Sequence, residues 1–275
     1  MSRKEASDLN IQEQFLHTTL RIELLEKGIV KGTGTGFLVS VPADGGKAVK
    51  IVLVSNKHVL LRGDEIAITF TSMKNGMPSY GNSIKLPISN MKANTVGHPD
   101  PDVDVAVIIC TGIFNIYPDQ LYFKAISYDM LSDFSEQDLA VAENVFFVGY
   151  PDGRFDTKNN LPLIRTGLIS SNPRLDYNGK PQFVIDAQVF PGSSGSPVYI
   201  NYTFENFKNG QIVLGNKQDI KVIGIIAKTM LRNNILQTVP VGTINYTQEV
   251  LGLGIVFKST VIRETIDFAL EKFKD

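Results

Sequence analysis

Cysteine is almost missing from this chain: Cys110 is the single one in 275 residues. No intrachain disulfide can form, and a cysteine-rich zinc site is excluded. Histidine is scarce as well, with residues 17, 58 and 98 only. Long apolar runs are lacking; the longest, 51–54 and 105–110, fall far short of the ~20 residues that a transmembrane helix needs. Residues 1–15 are polar and mixed in charge, without the hydrophobic region of a signal peptide. A cytoplasmic, reducing location is therefore expected, and the N-x-T triplets at Asn201 and Asn245 are read as chance. Net charge is lacking too: Lys+Arg is 27 and Asp+Glu is 28, giving −1. No overall basic field exists to attract nucleic acid. Neither a nucleic-acid nor a membrane partner is expected, and no oligomer is predicted.

What is present is an ordinary globular composition, 43% hydrophobic and 20% charged, enough apolar surface for one or two cores. Short β-branched and aromatic runs recur between Gly, Pro, Asn and Asp clusters. In the first half they cover 19–25, 34–40, 50–55, 65–70, 83–88 and 104–110. In the second they cover 144–149, 163–170, 182–189, 196–200, 211–214, 221–227 and 254–258. This even spacing predicts all-β sandwiches or barrels. Helical periodicity is limited to a short segment at 2–17 and a better one at 259–274. In the latter Ile262, Ile266, Leu270 and Phe273 share a face, with Ser259 or Thr260 as N-cap. The acidic, irregular stretch between the halves reads as a connection, with one helical turn around 131–139. The organisation expected is an N-terminal extension (1–17), a first β-unit (18–115), a linker (116–142), a second β-unit (143–258) and a C-terminal helix (259–275).

One segment carries chemistry: Pro191-Gly192-Ser193-Ser194-Gly195-Ser196-Pro197, between two strand patterns. A serine hydroxyl is a weak nucleophile and needs a base and a prepared anion site. Flanking glycines permit a tight turn that exposes the hydroxyl and aims successive N–H groups at one point. Such donors stabilise a tetrahedral oxyanion by about 3–4 kcal/mol each. A Gly/Ser-rich hairpin turn is the plain alternative.

The base should be a histidine. His17 reads as a surface or packing residue, and His98, in a turn-rich stretch, as solvated. His58 closes the apolar run Ile51-Val52-Leu53-Val54 and opens a turn, a rigid support for a working side chain. A structural histidine is its alternative. The partner carboxylate should orient the imidazole. Asp104 heads the apolar run Val105-Ala106-Val107-Ile108, and Asp100 and Asp102 are its loop neighbours. Gly32-Thr33-Gly34-Thr35-Gly36 lacks the Lys-Ser/Thr of a phosphate loop and precedes a strand, so nucleotide binding is discarded. The order His, Asp, Ser and the missing α/β alternation exclude an α/β-hydrolase.

Taken in order, these segments resemble the chymotrypsin-fold (trypsin-like) serine proteases, most closely the HtrA/Deg type. Gly34-Thr35-Gly36-Phe37 resembles that family's G-S-G-F strand, and Val54-Ser55-Asn56-Lys57-His58-Val59 its V-T-N-x-H-V. Asp104-Val105-Ala106-Val107 resembles D-x-A-V-L, and Val148-Gly149-Tyr150-Pro151 resembles I-G-N-P. Thr166-Gly167-Leu168-Ile169-Ser170 resembles S-G-I-V-S. The run from Ile185 to Pro197 resembles T-D-A-x-I-x-P-G-N-S-G-G-P. Val222-Ile223-Gly224-Ile225 and Leu253-Gly254-Ile255-Val256 resemble the strands walling the substrate pocket. The likeness spans about residues 18–260.

The resemblance implies an all-β fold of two six-stranded antiparallel Greek-key barrels with a C-terminal helix, and a cleft between them. It implies a serine endopeptidase acting on proteins or peptides through an acyl-enzyme, without cofactor or metal. Ser194 would be the nucleophile, His58 the base and Asp104 its orienting carboxylate. Gly192, Ser193 and Ser194 would make the oxyanion hole. Gln188 would lie near the pocket floor, Ala227, Lys228 and Thr229 would pair with substrate backbone, and Gly254 would leave the pocket mouth open. With no carboxylate at the floor, a medium-sized apolar or uncharged residue is expected before the scissile bond. Ser193 replaces the acid that pairs with a new N-terminus in digestive relatives, so no such zymogen switch is expected. Ser196 replaces a glycine, and Lys57 is expected to point outward. The stretch after residue 260 is too short for a PDZ domain, so regulation by one is not expected. The rival expectation is a latent or pseudoprotease fold that binds peptides.

Overall fold

A computed structural model describes residues 9–136, 139–208, 211–238 and 243–273. The parts of the expected terminal helices at 2–8 and 274 lie outside them. The first half starts with α1 (Ile11–Thr18), whose Asn10 and Glu13 close a reciprocal capping box. Seven strands follow: β1 (Thr19–Glu26), β2 (Ile29–Ala43), β3 (Ala48–Ser55), β4 (Glu65–Lys74), β5 (Met77–Ser89), β6 (Thr95–Gly97) and β7 (Ala106–Ile109). Their spatial order is β5-β4-β1-β2-β3-β7-β6. Short helices α2 (Lys57–Leu60), α3 (Met91–Asn94) and α4 (Thr111–Ile116) interrupt the chain. Strands β8 (Leu121–Tyr122) and β9 (Ile126–Ser127) join β4 and β2 and complete a nine-stranded sheet. Both lie in the stretch read from sequence as linker. They are too short, and too rich in neighbouring polar residues, to show a strand period. No helical turn forms at 131–136; a 3₁₀ turn at Tyr128–Met130 precedes it.

In the second half β10 (Asn144–Gly149), β11 (Leu163–Ile169), β12 (Gln182–Asp186), β13 (Pro197–Lys208), β14 (Gln211–Thr238) and β15 (Thr243–Lys258) close a barrel in the order β10-β11-β12-β15-β14-β13. The separate strands expected at 211–214 and 221–227 are one strand, β14. Helix α5 (Ser259–Lys272) follows β15 directly. It buries Val261, Ile262, Thr265, Ile266 and Ala269, while Phe273 is 41% exposed and does not belong to that face. Its N-cap position is Lys258, without a side-chain cap. Ser259, expected there, instead donates its hydroxyl to the Ser132 carbonyl at 2.6 Å.

The unbroken apolar runs of β2 and β3 follow from burial on both faces, with alternate side chains going opposite ways. Leu38 and Leu53 enter the core of the first sheet with Leu20, Ile22 and Ile68. Phe37, Val39, Val52 and Val54 face a second core shared with Val148, Tyr199 and Ile225 of the barrel and Ile262 and Ile266 of α5. Phe15 of α1 stacks on Tyr199 of β13 at 4.1 Å between ring centroids. The shared core holds the halves together, so residues far apart in sequence can face one cleft.

Candidate active site

Strand β3 ends at Ser55, and α2 begins two residues later, placing His58 in its first turn. Asp104 stands just ahead of β7, which pairs with β3 through Ser55↔Ala106. This register sets the two side chains opposite each other. His58 Nδ1 lies 2.5 Å from Asp104 Oδ2, and the His58 backbone N–H donates to Asp104 Oδ1 at 3.1 Å. With both carboxylate oxygens engaged by one residue, the ring has one orientation and Nε2 faces outward.

Two neighbours hold the loop that carries Asp104. Asn56 is fully buried, and its side-chain amide donates to the Asp104 carbonyl at 2.7 Å. Lys57, expected to point outward, is half-buried and lays its stem along the surface. Its ammonium donates to the Asp100 carbonyl at 2.7 Å. Its stem lies over Gly97, where a Cβ would come within 2.9 Å of Lys57 Cε. Partial burial lowers the Lys57 pKa, against the opposing pull of Asp104, Asp100 and Asp102. His98 is not solvated either: its side chain is 10% exposed and Nε2 sits 3.0 Å from Glu264 on α5.

Ser194 lies in the loop between β12 and β13. The Ser193 N–H donates to the Phe190 carbonyl at 3.0 Å, with Pro191 and Gly192 as the central residues and Gly192 at φ +87°, the signature of a type II turn. This turn leaves the Gly192 and Ser194 N–H groups without partners among the described residues. Ser193, grouped with them from sequence, spends its N–H inside the turn. Its side chain is 1% exposed and its hydroxyl has no partner. Ser196 is accommodated because Gly149 leaves room: a Cβ there would lie 2.0 Å from Ser196 Oγ.

The Ser194 hydroxyl donates to the Ala227 carbonyl at 3.0 Å. Among the described residues no hydrogen bond joins it to His58. Both nevertheless border one cleft of about 460 Å³, together with Gly192.

Of the other residues singled out from sequence, Lys228 is exposed and Thr229 half-buried on β14. Thr229 pairs with Gly254 of β15. The space over Gly254 is taken by Val189, whose Cγ2 would lie 2.6 Å from an added Cβ, so this glycine admits Val189 rather than leaving a pocket mouth open. Gln188 is exposed. Its carbonyl accepts from the Arg165 guanidinium, which sits between the rings of Phe147 and Phe190, at 5.3 and 5.1 Å from their centroids. Arg165 carried no signal in sequence, and Val189 was visible only as one position of the 185–197 run, with nothing to show what it packs against. Thr35 was visible only as part of a Gly-Thr-Gly run. Among the described residues no cluster of three or more His, Cys, Asp or Glu side chains could hold a metal ion. No helix among them is long and apolar enough to cross a membrane.

Comparison with known proteins bears on the family and the fold. The family profile of the trypsin-like peptidase domain matches residues 34–203. No curated protein sequence matches the chain. Among solved structures it is similar to a serine endoprotease from Yersinia pestis, at TM-score 0.50 and 14% identity, covering 94% of this chain and 65% of that one. It is also similar to the inactive form of a serine-to-alanine mutant of Rv3671c from M. tuberculosis H37Rv, at TM-score 0.49 and 16% identity, covering 96% and 92%. A scabies mite inactivated protease paralogue gives TM-score 0.49 at 13% identity, covering 94% and 96%.

Proposed function

This chain belongs to the trypsin-like peptidase family, a family of protein-cleaving hydrolases, and on that premise we propose that it is a serine endopeptidase acting through Ser194, His58 and Asp104. The observation that carries the reading is the two-point contact of His58 with Asp104, at 2.5 and 3.1 Å, facing the cleft that Ser194 borders.

The chemistry follows from the geometry. An extended substrate adds a strand beside Ala227–Thr229 of β14. A substrate backbone N–H then takes over the Ala227 carbonyl and frees the Ser194 hydroxyl to turn towards His58 Nε2. Catalytic hydrogen bonds that are long or absent in the free enzyme commonly tighten on binding. His58 takes the Ser194 proton as Oγ attacks the scissile carbonyl. The carbonyl oxygen, now negative, lies against the Gly192 and Ser194 N–H groups. Asp104 holds the imidazolium in place while it passes its proton to the leaving amine. Water repeats the sequence on the acyl-enzyme and restores Ser194. The substrate is a protein or peptide, and the chain is grouped with the HtrA/Deg type on the segments quoted above, with a cytoplasmic setting.

A latent or binding-only protein is the second reading. It is favoured by one observation, the engagement of Ser194 with Ala227 rather than His58. A fluorophosphonate probe separates the two. Labelling at Ser194 that disappears in Ser194→Ala supports the peptidase. A well-folded protein that resists labelling supports the alternative.

A further inference from the structure

The cleft that Ser194 and His58 border is lined mainly by the first half of the chain. Its walls come from the end of β1 (Leu24, Leu25, Glu26), the start of β2 (Lys31, Gly32) and the segment after α2 (Arg62, Gly63). None of Ala227, Lys228, Thr229 or Gly254 borders it. If substrate backbone pairs with Ala227–Thr229, its residues before the scissile bond lie on the β14 side of Ser194. The cleft then receives the residues after that bond.

The chemistry of the walls is uneven. Leu24, Leu25 and Val59 are buried apolar side chains and make an uncharged base. Above it stand Lys31 and Arg62, both exposed. Neither has an ion-pair or hydrogen-bond partner among the described residues. Glu26 is the one carboxylate among the bordering residues, leaving the cations in excess. An arginine without a partner offers a planar fork suited to a carboxylate.

We infer that this cleft selects substrates carrying an acidic side chain within the first three residues after the scissile bond, with Lys31 and Arg62 as the residues that read it. The inference rests on the peptidase reading for its orientation, but its test does not need turnover. Two fluorescent peptides are compared for binding to the full chain carrying Ser194→Ala. They are identical except for Glu or Lys at the second position after the intended scissile bond. The Glu peptide is expected to bind about five-fold more tightly at low salt, the size that two solvent-exposed ion pairs supply. The difference shrinks as ionic strength rises and screening shortens. The double substitution Lys31→Glu with Arg62→Glu, checked for an unchanged thermal melt, is expected to reverse the preference. Equal binding of both peptides, tighter binding of the Lys peptide, or a preference unmoved by the double substitution overturns the inference. Failure of the peptidase reading shows separately, as absent probe labelling of the unsubstituted chain.

Discussion

The hydroxyl of Thr35 on β2 donates to the carbonyl of Gly192 at 2.7 Å, reaching from the first sheet into the turn that presents the free N–H groups. The same residue donates its backbone N–H to the Ser194 carbonyl at 2.9 Å, and its own carbonyl accepts from Ser55 Oγ at 2.6 Å. Its hydroxyl also lies 3.3 Å from the Tyr150 N–H, which donates to it. Thr35 is fully buried and ties the serine-bearing loop to the half of the molecule that carries His58 and Asp104. With the Gly192 carbonyl fixed on one side, the Gly192–Ser193 peptide resists rotation.

Thr35→Val keeps the shape of the side chain and deletes these hydroxyl bonds, leaving the Gly192 carbonyl without its partner. Stability is expected to fall by about 1–3 kcal/mol, the usual cost of an unsatisfied buried group. The rate is expected to fall about ten-fold through kcat, less than the loss from removing an oxyanion donor outright, with KM little changed. Thr35→Ser should recover most of it. Urea melts and initial rates on one peptide substrate give both numbers. A loss of stability with kcat unchanged would reduce Thr35 to a structural tie.

Gly195 offers a sharper test of the same contact. It has φ +91°, and a Cβ there would lie 1.8 Å from the Thr35 carbonyl oxygen, a clash that backbone on both sides cannot relieve. Gly195→Ala is expected to abolish probe labelling of Ser194 and to destabilise the fold by more than about 3 kcal/mol. Gly28→Ala shares the strained backbone sign, at φ +76°, but meets nothing within 4 Å. It should cost only about 1 kcal/mol and leave labelling intact. Similar effects for the two would show that backbone strain, not the approach to Thr35, governs Gly195.

Lys57 is expected to act on the site through the loop that carries Asp104. Lys57→Met keeps most of the stem over Gly97 but removes the bond to the Asp100 carbonyl. Stability should fall by about 1 kcal/mol for the lost hydrogen bond. With one tie of that loop gone, kcat/KM is expected to fall about three-fold, the size of a small misplacement at a catalytic group. Lys57→Arg, which can still donate to that carbonyl, should recover most of both losses. Unchanged kcat/KM in Lys57→Met would limit this lysine to a structural tie.

These contacts mark where sequence reading reaches and where it stops. Ser194 stood out by its Gly/Ser segment, His58 at the end of an apolar run and Asp104 at the head of one, and strands β10 and β12 start where the expected runs 144–149 and 182–189 start. Thr35 and Val189 were visible only as members of quoted segments, without their contacts, and Arg165 was not visible at all. Their roles depend on the approach of elements more than 20 residues apart, and a Thr, an Arg or a Val looks the same in sequence whatever it meets. The tether made by Lys57 was missed for a related reason: its stem lies along the surface over Gly97, forty residues later, which leaves the space. Strands β8 and β9 escaped because two-residue strands have no period to detect.

His17 carries the last prediction, because its burial has a definite acid signature. It is 4% exposed, with Nε2 3.3 Å from the Tyr80 hydroxyl and the Tyr122 ring edge-on at 4.8 Å between centroids. Burial, with Lys124 nearby, lowers its pKa from 6.5 to about 4. The unfolded chain therefore binds a proton between about pH 6.5 and 4 that the folded chain refuses. Above that window the imidazole is neutral in both states and contributes no pH dependence. As pH falls through it, protonation favours the unfolded chain, up to a total of ~3 kcal/mol at 1.36 kcal/mol per unit. His17→Phe keeps a ring among Tyr80 and Tyr122 but has nothing to protonate. Urea melts at about pH 7, 5.5 and 4, spanning that window, should show the wild-type chain losing ~3 kcal/mol more than the variant. Parallel loss in both proteins would show that other groups, and not His17, set the acid limit.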